Sequence, residues 1–165
     1  MERISHELDP VYDENSRILI LGTFPSVKSR QQRFYYGNPQ NRFWKVIAAL
    51  TGWEIPETIE EKKRILLANG IAIWDVIASC EIKGSSDSSI RNVIANDIAG
   101  LLAGSRIRMI YANGDKAYRL YQKYCEESTG MAAIRLPSTS PANAAWSLER
   151  LVEAWRGIDR RDKEA

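Results

Sequence analysis

Four short apolar runs rich in β-branched residues, separated by stretches long enough for a helix, constrain this chain more than any other feature. They are Ile18 to Leu21, Ile71 to Trp74, Ile107 to Ala112 and Ala133 to Leu136. Continuous apolar strands need cover on both faces, and strands alternating with helices build a parallel sheet between helical layers. The intervening segments have helical spacing. Asn41 to Leu50 carries apolar residues at 43, 44, 46, 47 and 50 and can end at Gly52. Glu57 to Asn69, Ile90 to Ala103, Asp115 to Cys125 and Asn143 to Trp155 predict four further helices. At 165 residues, 44% of them apolar, the chain suits one domain (1–165) with a core of its own. Residues 1–15 read as a loose leader and 158–165 as a peripheral tail.

Several function classes are excluded early. The apolar stretches fall short of the roughly 18 residues that a membrane span needs, and the polar, acidic start Met1 to Pro10 is unlike a secretory signal. Cys80 and Cys125 are far apart with no metal-ligand spacing, so two reduced thiols in a cytoplasmic protein are the expectation. The single histidine, His6, falls in the leader. That argues against Ser-His-Asp, Cys-His and multi-histidine metal chemistry.

Net charge is +2, from 23 basic and 21 acidic side chains, so the local distribution has to decide the partner. Between Val27 and Lys45 stand Lys28, Arg30, Arg33, Arg42 and Lys45 with no acidic residue, interleaved with Phe34, Tyr35, Tyr36, Phe43 and Trp44. Such a segment is either a nucleic-acid footprint or a loop whose aromatics pack down and whose arginines are solvated.

In parallel α/β sheets, ligands sit outside the carboxyl ends of the strands. The loops there carry the unusual residues. Gly22-Thr23-Phe24-Pro25-Ser26 combines a glycine, which lets backbone approach a ligand, with a proline that fixes the turn. In Tyr35 to Trp44, three amides (Asn38, Gln40, Asn41) stand among aromatics; Asn41 can cap the following helix and still orient water. Leu136 to Asn143 holds Ser138, Thr139 and Ser140 between two prolines. It reads as an anion site at a helix start or as a rigid start with Ser140 as N-cap and Pro141 next. Asn113 to Lys116 ends the third strand at the same edge, contacting a phosphate backbone through Lys116 or capping a helix. Asp87, in the Ser-rich loop Gly84 to Ser89, is a further polar candidate.

Read in order from Ile18 to Trp155, the segments GTFPS, YYGNPQNRFWKVI, IAIWDVIASCEIKGSSDSSI, YANGDKAY and LPSTSPANAAW resemble the uracil-DNA glycosylase superfamily. Within it they are most similar to the hypoxanthine-DNA (deoxyinosine) glycosylase branch. NPQNRFWKVI and LPSTSPAN are the specific motifs. The resemblance implies a three-layer α/β/α sandwich with a short, mainly parallel four-stranded sheet. It also implies a monomeric enzyme, free of metal and cofactor, that excises hypoxanthine, and uracil too, from DNA. Phe24 stands where commoner branches place a water-positioning Asp or Asn, and Leu136 where many have a histidine. The deoxyinosine branch shares both departures, and the resemblance moves the catalytic asparagine to Asn41, with Asn38 as second candidate.

By the same resemblance Gly22, Thr23 and Phe24 line the base pocket, Tyr36 stacks on the flipped base, and Asp75 reads its Watson–Crick edge. A protonated carboxyl at Asp75 would both donate and accept; the alternative is a solvated helix cap. Pro25, Ser26, Ser138 and Ser140 would grip the phosphates beside the lesion, while Thr139 and Asn143 would sit on a helix tip entering the groove. Lys28, Arg30, Arg33 and Lys116 would make phosphate contacts, which position without specifying sequence. No lysine in the central motifs suggests a Schiff base, so the reaction is expected to be monofunctional. The rival reading is a catalytically silent DNA- or nucleotide-binding module on the same fold, motivated by Phe24 and the missing histidine. A phosphohydrolase lacks its paired acidic ligands.

Overall fold

The structure, a computed structural model, describes residues 2–82 and 90–158. In chain order its elements are β1 (Glu2–Ser5), β2 (Ile18–Gly22), α1 (Val27–Gln32), α2 (Phe43–Thr51), α3 (Ile59–Ala68), β3 (Ile71–Asp75) and β4 (Ile77–Ile82). There follow β5 (Arg91–Ala95), α4 (Ile98–Ala103), β6 (Met109–Asn113), α5 (Asp115–Tyr124), α6 (Glu126–Thr129), β7 (Ile134–Leu136) and α7 (Leu148–Trp155).

The apolar runs become a four-stranded sheet in the order β3-β2-β6-β7, with every neighbouring pair parallel. Along β2 the side chains alternate between two cores. Ile18 and Ile20 face a cluster with Phe43, Val46 and Ile47 of α2, Ile65 and Leu66 of α3, and Leu151 and Trp155 of α7. Leu19 and Leu21 face the other, with Ile98 and Leu101 of α4 and Ala117 and Tyr121 of α5. Each fully buried aliphatic side chain here contributes about 1.5–3 kcal/mol. The expected α/β architecture, with a parallel four-stranded sheet and helical cover, is therefore observed.

Three expectations need correction. Residues 1–15 are not a loose leader. β1 pairs antiparallel with β4 from Glu2↔Ile82 to Ser5↔Ser79, Val11 bridges to Ile73 and is buried, and the His6 side chain is only 1% exposed. Ile90 to Ala103 is not one helix. Arg91–Ala95 forms β5 against β4, and only Ile98–Ala103 is helical, started by Asp97, whose side chain accepts from the Gly100 N–H. Its apolar spacing fits a helix, but β-branched Val93 and Ile94 suit the strand that β4 templates, and Asn92 takes a left-handed φ of 52°. β1, β4 and β5 thus make a second, antiparallel sheet that no single segment advertises. Finally, α7 starts at Leu148 with Ser147 as N-cap, so Ser140 and Pro141 do not begin a helix. They occupy a tight turn in which the Ser140 hydroxyl accepts from the Ala142 N–H.

Of the tail, Ile158 is buried and the remainder lies outside the described residues, as do Gly84 to Ser89 with Asp87. Cys80 and Cys125 are both buried, and burial pushes the Cys125 thiol up to about 11. Among the described residues no helix is long and apolar enough to cross a membrane, and no three His, Cys, Asp or Glu side chains gather as a metal site would require.

Candidate active site

At the carboxyl edge of the parallel sheet the loops after β2, β3, β6 and β7 close around a cavity of about 480 Å³. That volume is within the range of small-molecule sites. Gly22, Thr23, Phe24, Pro25, Ser26, Arg30, Tyr36, Asn38, Asn41, Asp75, Ser138, Thr139 and Ser140 all line it, so most residues expected of a site meet here. Asn113, Tyr35 and Ser29 join them. A larger cavity, about 830 Å³, lies against the N-terminal segment and takes in Arg30, Arg33 and Tyr35, but it lacks the amide cluster. We place the site in the smaller one for that reason.

Main chain positions Asp75. Parallel pairing runs on past β2, with the Val76 N–H donating to Gly22 O at 2.9 Å and the Ile77 N–H to Thr23 O at 3.1 Å. Asn96 Nδ2 donates to Asp75 O at 2.9 Å. The carboxylate folds over Gly22, where a Cβ would lie 2.4 Å from Asp75 Oδ1 and 3.0 Å from the Tyr36 hydroxyl. Glycine is needed there for close approach. Gly22→Ala is accordingly expected to cost about 1–3 kcal/mol through overpacking and to displace Asp75; thermal melting and a base-release assay on the variant check both effects.

Asp75 Oδ2 accepts from His6 Nε2 at 2.8 Å, with side chains 1% and 5% exposed. The His6 Nδ1 accepts from the Leu8 N–H at 3.2 Å, so the ring proton belongs on Nε2. Phe24 and Tyr35 both pack at 5.9 Å from the imidazole centroid. Asp75 is therefore a buried hydrogen-bond acceptor rather than a solvated cap. Burial, and then the charge of Asp75, push the Tyr35 and Tyr36 hydroxyls far above the ordinary phenol value, so both stay protonated.

Tyr36 sits at a left-handed φ of 52°, stacked on Phe43 with centroids 3.9 Å apart. One ring face is thus taken, and a base can use only the other. Its hydroxyl accepts from Asn113 Nδ2 at 3.3 Å. The same Nδ2 donates to Thr139 Oγ1 at 3.0 Å, Asn113 Oδ1 accepts from the Thr139 N–H at 3.0 Å, and the Thr139 hydroxyl donates to Asn41 Oδ1 at 2.8 Å. Asn41 Oδ1 also accepts from the Phe43 N–H at 2.9 Å. Asn41 thus supports the start of α2 from one residue before the N-cap, Arg42, which itself makes no side-chain cap. Its oxygen is held by two donors, while Nδ2 makes no hydrogen bond among the described residues. Asn38 also lines the cavity, its Oδ1 taken by the Gln40 N–H in a local turn.

Other expected contacts are placed differently. Thr139 is fully buried inside this network, so it does not stand on a helix tip. Asn143 Nδ2 donates to Ser138 O at 3.0 Å, tying the last loop to itself well before α7. Ser26 is the N-cap of α1, its hydroxyl accepting from the Ser29 N–H. Lys28, Arg33 and Lys116 are exposed outside the cavity, whereas Arg30 lies over the Phe24 ring at 5.7 Å. Arg42 is not free for phosphate. Its guanidinium donates to the carbonyls of Ser140, Asn143 and Trp146, stapling the NPQNRFW segment to the last loop.

Three contributors escaped the sequence reading. Asn113 was within reach, as the terminal polar residue of an apolar strand at the ligand edge. Arg42 shows in the sequence only as one of several basic residues. His6 gave no local sign, because its place depends on pairing between residues far apart in the chain. Thr139→Val, close in shape but without the hydroxyl, leaves Asn113 and Asn41 short of a partner. It is expected to cost about 1–3 kcal/mol, which denaturant melts of the purified variant measure directly.

The model of the uracil DNA glycosylase superfamily matches residues 10–158. The chain belongs to this superfamily. A hypoxanthine DNA glycosylase of Methanosarcina acetivorans is 38% identical over 152 residues, covering 91% of this chain and 94% of the relative. One of Methanosarcina barkeri is 32% identical over 111 residues, 66% of this chain and 70% of the relative. Among solved structures, a candidate uracil DNA glycosylase from Methanosarcina acetivorans superposes with a TM-score of 0.80 at 36% identity, over 94% of this chain and 96% of that one. Every residue that lines the smaller cavity lies within the matched span.

Proposed function

We propose that this chain, as a single cytoplasmic and monomeric domain, is a monofunctional DNA glycosylase that hydrolyses the N-glycosidic bond of hypoxanthine, and of uracil, in DNA. The observation that carries the reading is the convergence of Asn41, Tyr36 and Asp75 on one cavity at the carboxyl edge of the sheet. Its likeness to the two Methanosarcina enzymes supports the choice of base.

The base leaves the stack at a cost of a few kcal/mol, least where the pair is already weakened by a lesion. The open face of Tyr36 stacks on it, contributing about 1–3 kcal/mol, with Phe24 beside it and Asp75 at its ring N–H. Bond breaking leaves an oxocarbenium-like sugar and an anionic base. The water then adds to C1′, its proton ends on the departing base or solvent, and an abasic site remains. Because that water meets a sugar already short of electrons, it must be held more than deprotonated. Asn41 suits this, its oxygen locked by Thr139 and Phe43 and its Nδ2 left to donate to the water. Arg30, Ser138 and Ser140 contact the flanking phosphates. Arg30 Nε, buried with no hydrogen-bond partner among the described residues, awaits an acceptor.

Alkali-labile nicking of an oligonucleotide containing deoxyinosine, without added metal, is the test. Cleavage at the inosine and none at the matching adenine supports the enzyme. Equal affinity for damaged and undamaged DNA with no base released supports the silent module instead.

A further inference from the structure

The pair His6–Asp75 does something that the glycosylase reading by itself leaves unexplained. A histidine from the N-terminal segment reaches across the sheet edge and takes one oxygen of the residue expected to read the base. The bond is 2.8 Å long and both side chains are buried. The direction of the bond is fixed from the far side of the ring, since Nδ1 already accepts from the Leu8 N–H. Nε2 must therefore donate, and Asp75 Oδ2 must accept. The other oxygen, Oδ1, lies over Gly22, and both residues line the cavity.

Deamination of adenine and of cytosine leaves the same mark on the Watson–Crick edge. Adenine and cytosine present a bare ring nitrogen, an acceptor, there. Their products hypoxanthine and uracil present a ring N–H, a donor, in its place. A carboxyl that carries its own proton could satisfy either kind of edge. One held as an acceptor satisfies hypoxanthine or uracil and meets their parents adenine and cytosine lone pair to lone pair, which a desolvated site penalises strongly. Guanine and thymine, which carry a ring N–H of their own, are not told apart by this contact.

Building on the proposed activity, we propose that His6 is a specificity-determining positioning residue that fixes Asp75 as the acceptor for the ring N–H that hypoxanthine and uracil carry and that adenine and cytosine lack. β1 is then part of the recognition machinery, because its antiparallel register on β4 sets where His6 emerges: the pairing ends at Ser5↔Ser79, and the His6 N–H continues it to Ala78 O at 2.6 Å. His6 itself touches no base.

The test compares wild type, His6→Phe and His6→Gln. Phenylalanine keeps the ring against Phe24 and Tyr35 but removes the donor. Glutamine can place an N–H where Nε2 stands. Two quantities are read: the single-turnover rate of hypoxanthine release, and the affinity for an oligonucleotide bearing an abasic-site analogue, which has no base to read. His6→Phe is expected to slow release about tenfold or more, His6→Gln to restore it to within a few-fold, and abasic-site affinity to stay the same in all three. A merely structural histidine would lower release and abasic-site affinity together. The proposal is overturned by a His6→Phe rate equal to wild type, by equal losses in both variants, or by abasic-site affinity falling in step with release. A wild-type protein that releases no hypoxanthine overturns the glycosylase reading and this proposal with it. Wild-type release beside an indifferent His6→Phe overturns this proposal alone.

Discussion

Asn41→Ala is expected to slow hypoxanthine release by about 100-fold or more while affinity for lesion-containing DNA stays within a few-fold. That is the scale on which removal of one preorganised polar group acts in a water-excluded site. The substitution also removes the shared acceptor of the Phe43 N–H and the Thr139 hydroxyl. A stability loss of about 1–3 kcal/mol should accompany it. Asn41→Asp separates the two effects, because a carboxylate still accepts from both donors and should melt close to wild type. Single-turnover base release, read beside a melting curve for each variant, gives the answer. An Asn41→Ala protein that excises at the wild-type rate would falsify the water-placing role.

The largest stability effect should come from Trp155→Ala. Trp155 is completely buried, packs edge-on to Phe43 with centroids 6.0 Å apart, and donates from Nε1 to Pro137 O at 2.9 Å. It ties α7 to α2 and to the start of the last loop at once. Truncating a buried tryptophan typically costs about 3–5 kcal/mol, a large share of a small domain's total of roughly 5–15 kcal/mol. Trp155→Phe keeps much of the packing and isolates the hydrogen bond, with an expected cost of about 0.5–1.5 kcal/mol for the bond itself. Because Phe43 in turn supports the Tyr36 ring, Trp155→Ala should also weaken base release beyond what its unfolded fraction explains. Urea titration of both variants decides; a Trp155→Ala loss no larger than that of Trp155→Phe would mean the site collapses without cost.

The parallel sheet was legible because each of its strands is announced locally. Ile18 to Leu21 is an unbroken apolar run, and the glycine after it marks the ligand edge. β4 and β5 were not legible. Ile77–Ile82 follows β3 with only Val76 between, and Val93 and Ile94 fit a helix equally well when read alone. What makes them strands is β4 acting as template for both β1 and β5, a contact between distant parts of the chain that no local spacing encodes.

The same division runs through the candidate site. Asn41, Tyr36 and Asp75 could be placed from their motifs, since each follows a recognisable strand or precedes a recognisable helix. Thr139 could be found but not understood. Its motif suggests a helix tip entering the groove, whereas its burial makes it the link between Asn113 and Asn41. His6 could not be found at all. A lone histidine in a polar segment has no periodicity to read.

The β1–β4 pairing also dictates an order of assembly during synthesis. The partner of His6 lies 69 positions later, and the hydroxyl that holds Asn41 follows Asn41 by 98. Contacts of such separation close late, after the local helices and the strands they bridge have formed. A nascent chain that has folded as far as α5 therefore already carries Asn41 at the start of α2, but that amide still lacks the Thr139 hydroxyl that holds it. Competence to act on DNA arrives with the last strand and the loop behind it.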